Sequence, residues 1–284
     1  MAKYRVLYNP KSNNGQGETE ARTVETKLNG EFYYQNALEI PSHKEFINSI
    51  ASDETVVLVG GDGTINYFAN ALYGTEIKPE ILYYPIGTGN DFMRDITGAP
   101  TGDPIRINEY ITDLPLVSVN GVTKRFINGV GYGIDGYCCE VGDKLREKSV
   151  KKINYTGIAI KGLLFHYRPS NATVIVDGKE YNFKKVWIAP TMKGRYYGGG
   201  MIPTPSQDRN NPDKTVSVMV MYGKGRLSTL IAFPTIFKGE HIKKTNMVSV
   251  LTGKNITVRY DRPQSLQIDG ETVLGVSEYS VTVD

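Results

Sequence analysis

The spacing of apolar positions changes rhythm once along the chain. In the first third, short uniform apolar runs alternate with stretches of helical period. "YRVLYNP" (4–10), "TVVLVG" (55–60) and "ILYYPIG" (81–87) read as strands buried on both faces. Between them, "ETEARTVETKLNG" (18–30) brings Ala21, Val24 and Leu28 onto one helical face, with Gly30 as its stop. "INYFANALYG" (65–74) does the same with Ile65, Phe68, Ala69 and Leu72, and "DFMRDI" (91–96) begins another helix. This alternation predicts an α/β fold with a doubly wound parallel sheet. From about residue 115 the period shortens to two. "ATVIVDGKEYNF" (172–183) sets Asp177-Gly178 between two strand-like runs, a hairpin signal, and "TVSVMVMYG" (215–223) and "NITVRYDRPQSLQIDGE" (255–271) alternate in strand fashion. This half is expected to be mostly antiparallel β, broken by a helical segment at 143–167. The expected domains are 1–115 and 116–284.

Composition narrows the classes. A chain of 284 residues with 40% hydrophobic content can build two real cores. A formal net charge of +3 gives no reason to expect a nucleic-acid partner. The two cysteines, Cys138 and Cys139, are adjacent, which disfavours a disulfide between them. They read as reduced thiols of a cytoplasmic protein. No signal-peptide pattern opens the chain, and no apolar run approaches the roughly 20 residues that span a bilayer. Any membrane contact is therefore expected to be peripheral.

The chemistry concentrates where strands end. "GGDGT" (60–64) joins a strand to a helix, where the first helical amides lack intrahelical partners and favour an anion. Gly60, Gly61 and Gly63 remove Cβ atoms and admit a phosphate close to the backbone. Thr64 can cap the helix or donate a hydroxyl. Asp62 would repel a phosphate by itself. It becomes useful if it orders magnesium or a metal-bound water, or steers a nucleophile. The spacing is neither a Walker loop nor a dinucleotide fingerprint. A plain Gly-Asp-Gly turn is the rival explanation. Against it, "PIGTGNDFMRD" (85–95) and "NPKSNNGQG" (9–17) end two further strands in glycine, hydroxyl and amide groups. In a doubly wound sheet, such ends share the ligand-binding side.

"GGDGT" followed by "GTGNDF", after an early "NPKS", resembles the diacylglycerol kinase catalytic domain family, which includes bacterial lipid kinases and the sphingosine and ceramide kinases. GGDGT alone is shared with NAD kinases; the pairing with GTGND is more specific. "FINGVGYGIDGYCCEV" (126–141), "RYYGGGMIPTP" (195–205) and "LQIDGE" (266–271) extend the resemblance in the family's order. It implies an NAD kinase/diacylglycerol kinase-like first domain and a β-sandwich second domain, with ATP in the cleft between them. Asn9, Pro10, Lys11, Ser12 and Asn13 would lie beside the nucleotide. Gly60, Gly61, Asp62, Gly63, Thr64, Ile65 and Asn66 would hold phosphates, with Thr88 and Asn90, and Ile40 would contribute from an earlier strand end. Glu271 would be the general base and Asp62 a second catalytic group. Asp91 is either a helix cap or an active-site carboxylate. Asp135 either holds a polar headgroup or is a turn residue. A metal loop at 205–218 would use Asp213 and the carbonyl of Thr215 for Mg²⁺, although Lys214 stands where relatives place glycine. Asn14 and Gln16 likewise depart from a pattern of glycine and a basic residue.

The implied activity is transfer of the γ-phosphoryl group of ATP to a lipid hydroxyl, with diacylglycerol as first choice and Mg²⁺ required. An NAD kinase-like phosphotransferase and a catalytically weak nucleotide- or lipid-binding regulator are the rivals. The lipid partner would be met at the inner membrane surface by peripheral contact, and a homodimer is open. Segment 144–167 supplies Lys144, Arg146, Lys148, Lys151, Lys152 and Lys161 beside Ile158, Ile160, Leu163, Leu164 and Phe165 for that contact, or packs as an ordinary helix with a solvated face. Trp187 is expected in the core.

Overall fold

The computed structural model describes residues 1–283 except Thr88 and 149–152, and the side chains of Asn13 and Asn14 lie outside the description. The chain divides into two compact units, Met1–Leu114 and Pro115–Asp284.

The first unit is built on a five-stranded sheet in the order β2-β1-β3-β4-β5. Its strands are β1 (Lys3–Tyr8), β2 (Glu31–Asn36), β3 (Glu54–Gly60), β4 (Ile81–Pro85) and β5 (Ile105–Arg106). The first four are parallel and β5 runs antiparallel to β4. Val56, Val57, Leu58 and Val59 are all buried, so both faces of β3 are covered, as a parallel sheet requires. On one face Val6, Val57 and Val59 meet Ala21 and Val24. The strand order reverses direction between β1 and β3, a switch point of the kind at whose carboxyl side open α/β sheets bind ligands.

Segment 18–30 is not the single helix its spacing predicts. It is α-helical over Gly17–Ala21 and tightens to a 3₁₀ turn over Arg22–Thr26. Thr23 and Thr26 donate hydroxyl hydrogen bonds back to the carbonyls of Glu20 and Thr23, which competes with the α-helical ladder. Gly30 does not end a helix. A Cβ there would lie 2.3 Å from the Ala2 carbonyl oxygen, so the glycine permits a close backbone approach.

The second unit is a ten-stranded antiparallel sheet system. Its strands are β6 (Leu116–Val119), β7 (Val122–Arg125), β8 (Gly129–Tyr132), β9 (Ser170–Val176), β10 (Lys179–Val186), β11 (Thr191–Met192), β12 (Val216–Met221), β13 (Val248–Gly253), β14 (Asn255–Ile268) and β15 (Glu271–Thr282). The first half of β14 pairs with β9 and its last residues pair with β8, while β15 runs beside both halves. Register shifts between Arg259 and Leu266 allow one strand to serve two sets of neighbours. Val130, Tyr132, Val174, Val258, Leu266 and Val276 belong to the core it encloses. The hairpin at Asp177-Gly178 forms, with φ of +47° and +82°.

The helical segment of this unit begins earlier than its sequence suggests and is interrupted. It comprises Ile134–Glu147, then Tyr155–Lys161 capped by the Asn154 side chain, then one π turn at Gly162–His166. The early start is hidden by glycines with a packing role: a Cβ at Gly136 would meet the Ser265 carbonyl oxygen at 1.8 Å. Trp187 is buried and donates its indole N–H to the Lys224 carbonyl. Among the described residues no helix is long and apolar enough to cross a membrane. Cys138 and Cys139 are free thiols, and burial raises both above the usual thiol range.

Candidate active site

In the first unit, Gly61 leads from β3 into the helix Asp62–Ala71. Gly60 is bare because Thr64 folds over it: a Cβ there would stand 2.2 Å from Thr64 Oγ1. Gly63 is bare for a different reason, since a Cβ built there meets nothing within 4 Å. The amides of Thr64 and Ile65 are already donated to the Gly61 carbonyl, and the Ile65 side chain is in the core. Asn66 is buried and accepts from Asn70 Nδ2. Gly63 is the exposed residue of this first turn, with Gly61 and Asp62 half-buried beside it.

Asp62 ties this loop to the next one. Its Oδ2 accepts the Asp91 amide at 2.8 Å and its Oδ1 the Phe92 amide at 3.3 Å. Those amides open the helix Asp91–Thr97, so a carboxylate from one strand end caps the helix that follows another. Asp91 is thus the capped residue rather than the cap, and its own side chain is buried. Asn90 makes no cap bond. Its Nδ2 donates to the carbonyls of Gly87 and Pro100. The buried Tyr83 hydroxyl donates to the Gly60 carbonyl at 3.0 Å and completes the link between the loops.

In the loop after β1, Asn9 Oδ1 accepts the Lys11 amide and the Asn9 carbonyl accepts the Ser12 amide. Pro10 and Ser12 are half-buried and Lys11 is exposed. Gly17 packs against this turn: a Cβ there would stand 2.0 Å from the Asn9 carbonyl oxygen. Ile40 is buried just after a 3₁₀ turn at Ala37–Glu39. Thr88 and the Asn13 side chain lie outside the described residues.

In the second unit, the Asp-Gly-Glu stretch divides its labour. Asp269 and Gly270, at φ +46° and +90°, form the two-residue turn between β14 and β15. The Asp269 carboxylate accepts the amides of Ile127, Asn128 and Gly129 at 2.5, 2.9 and 3.0 Å. Glu271 projects from the far side of the turn with its side chain 69% exposed, and is ion-paired with Lys124. Beneath the turn lies Gln267. Its Nε2 donates to Asp135 Oδ2 at 2.8 Å, and its Oε1 accepts the Gly270 amide at 2.6 Å. Asp135 is therefore helical and buried, not a turn residue. Burial lifts its pKa to about 6 against the lowering influence of the Gln267 amide and the Tyr197 hydroxyl. Gly131 makes the room, since a Cβ there would fall 1.5 Å from Asp135 Oδ2.

Lys124 lies outside every quoted motif, and Gln267 lies inside LQIDGE without being one of its expected site residues. The strand period offered one signal: Gln267 alternates with Leu266 and Ile268, which point into the core, and so faces the other side with Ser265.

The expected metal loop does not fit a metal. The Thr215 carbonyl oxygen accepts Gln207 Nε2 at 2.9 Å and Asn211 Nδ2 at 3.0 Å, which uses both of its lone pairs. Asn211 Oδ1 accepts the Thr215 amide, and Ser217 Oγ donates to Gln207 Oε1. Asp213 is exposed, and no cluster of three or more His, Cys, Asp or Glu suited to a metal occurs among the described residues. Side-chain amides close this loop from within.

Residues 3–119 match the diacylglycerol kinase catalytic domain family, and residues 128–283 match the YegS C-terminal NAD kinase beta sandwich-like domain. The chain is similar to a diacylglycerol kinase of Mycobacterium tuberculosis, 29% identical over 213 residues, which is 72% of this chain and 66% of that relative. It is also similar to a diacylglycerol kinase of Bacillus subtilis, 25% identical over 285 residues, covering 95% of this chain and 90% of the other. A crystal structure of a diacylglycerol kinase from Bacillus anthracis shares the fold, with a TM-score of 0.60 at 18% identity over 99% of this chain and 94% of that one.

Proposed function

The chain belongs to the diacylglycerol kinase catalytic domain family, and from that premise we propose that it transfers the γ-phosphoryl group of ATP to a lipid hydroxyl, with diacylglycerol as the acceptor. The observation that carries this reading is the Asp62 bridge. It ties the loops after β3 and β4 together beside an exposed Gly63, where a Cβ would meet nothing within 4 Å. A preorganised row of amides suits a polyphosphate, and phosphoryl transfer depends mainly on positioning and charge stabilisation.

In this reading the amides of residues 61–63 hold phosphate oxygens, and the loop around Asn9 and Ser12 lies beside the nucleotide. Asp62 acts as a positioning residue, because its carboxylate is committed to the Asp91 and Phe92 amides. Glu271 accepts the proton of the acceptor hydroxyl as transfer proceeds, oriented by Lys124. Asp135 and Gln267 fix the turn that carries Glu271. The loop at 205–218 offers no seat for magnesium, which would supply charge neutralisation as a companion of the triphosphate.

The test is incubation of purified protein with labelled ATP and either a total lipid extract or NAD, followed by mass spectrometry of the products. A labelled lipid phosphomonoester whose mass matches phosphorylated diacylglycerol is expected, lost on adding a chelator. Phosphorylated NAD would move the assignment to a nucleotide kinase. Nucleotide binding with no product above background would make the protein a regulator.

A further inference from the structure

Two helical segments of the second unit carry an apolar surface that no core explains. Tyr155–Lys161 with the turn Gly162–His166 lies against the helix Arg226–Ala232: Arg226 Nη1 donates to the Leu163 carbonyl at 2.6 Å. Both segments bury their inner sides in one cluster that includes Ala159, Leu163, Ala232 and Phe233. Their outer sides keep Phe165 70%, Leu227 69%, Ile231 65% and Ile160 42% exposed. Leu227 and Ile231 are one helical turn apart and share a face. Large apolar residues gathered in this way mark a contact surface.

The charge around the patch identifies what it meets. Neither 155–168 nor 224–238 contains a single Asp or Glu, whereas together they hold Lys161, Arg168, Lys224, Arg226 and Lys238. Beside Phe165, an open groove of about 530 Å³ is lined by His166, Arg168 and Arg262, with Glu140 as its acidic member. That glutamate is already ion-paired with Lys144. A second copy of the chain would bring cations against cations. An anionic bilayer satisfies both halves of the surface, accepting the apolar side chains among its acyl chains and the cations among its headgroups.

We infer that Ile160, Phe165, Leu227 and Ile231, framed by Lys161, Arg168 and Lys238, form the surface by which the second unit docks on an anionic lipid membrane. The inference deepens the lipid-kinase reading and rests on it for the direction of substrate supply. It also moves the contact expected from sequence. Lys144 and Arg146 are paired with Glu140 and Asp143, Lys151 and Lys152 lie outside the described residues, and the helix Arg226–Ala232 was not foreseen at all.

The test measures co-sedimentation of the full chain with vesicles of phosphatidylcholine alone and of phosphatidylcholine mixed with phosphatidylglycerol. Wild type is expected to bind the mixed vesicles, and more weakly as salt rises. Phe165→Ser with Ile231→Ser should cut binding roughly tenfold or more, and Arg168→Ser with Lys161→Ser should cut only the component that depends on anionic lipid. Turnover of a short-chain diacylglycerol dispersed in detergent, run in parallel, should be unchanged in both variants. That arm reports folding, and it tests the kinase reading separately. Equal vesicle binding by wild type and the Phe165/Ile231 variant would overturn the inference, as would no binding by wild type or a dimer that the substitutions dissociate.

Discussion

The two units use the same dipeptide in opposite ways. Asp62-Gly63 and Asp269-Gly270 each place a carboxylate on backbone amides from a distant segment: two amides 29 and 30 residues onward for Asp62, three amides about 140 residues back for Asp269. In both, the aspartate builds. What differs, in the proposed function, is the part left over for chemistry. In the first unit it is bare backbone at Gly63; in the second it is the Glu271 carboxylate, held at the surface by Lys124. An acid inside a glycine motif is thus not by that fact a reacting group, and its hydrogen-bond partners decide.

The sharpest way to break the comparison is to remove the exposed acid. Glu271→Gln is expected to lower kcat on diacylglycerol by about a thousandfold while nucleotide affinity is kept, measured by steady-state turnover and by titration of the nucleotide. Unchanged kcat would return Glu271 to the surface ion pairs.

Next come the building acids. Asp269→Ala leaves three amides without their acceptor and should cost on the order of 3 kcal/mol in urea unfolding. Asp62→Ala, with two amides affected, should cost about 2 kcal/mol and also raise the KM for ATP. Equal stability with lost activity at Asp62 would make it a reacting group after all.

Asp135 sharpens the contrast through pH. Its carboxyl titrates near 4 when unfolded and at about 6 when folded, so between those values the folded state holds more protons. Stability is therefore lost as pH rises through that window, and the cost is complete above about 6. Asp135→Asn should match wild type near pH 4 and exceed it by up to about 3 kcal/mol at neutral pH, read from urea unfolding across pH. A difference that does not vary with pH would contradict a raised carboxyl.

The smallest effect separates two neighbouring glycines. Gly60→Ala collides with Thr64 and should destabilise by about 1–3 kcal/mol. Gly63→Ala meets open space on a helical turn and should change thermal stability by less than about 1 kcal/mol, yet weaken ATP binding. Weakened binding by neither variant would remove the loop from the nucleotide site.

Much of the fold was legible because it follows local rules. Uniform apolar strands announced β1, β3 and β4, and Asp177-Gly178 announced its hairpin. The helix Ile134–Glu147 was not legible, since Gly136 is placed by the Ser265 backbone more than a hundred residues away. The strand-to-helix junction at the glycine loop was legible, whereas the hydrogen bonds of Asp62 were not. Its partners sit behind a second strand, and sequence spacing cannot reveal a carboxylate already satisfied. Thr215 failed for the same reason, because two side-chain amides had taken its carbonyl.

The central claim is that backbone, not carboxylate, receives the triphosphate in the first unit. Amide hydrogen exchange with and without a non-hydrolysable ATP analogue tests it most directly. Slowed exchange across residues 60–66 and in the loop that ends at Asp91, with NAD producing no such change, is the predicted result. Unaltered exchange in both loops at saturating nucleotide, or the same protection from NAD alone, would contradict it.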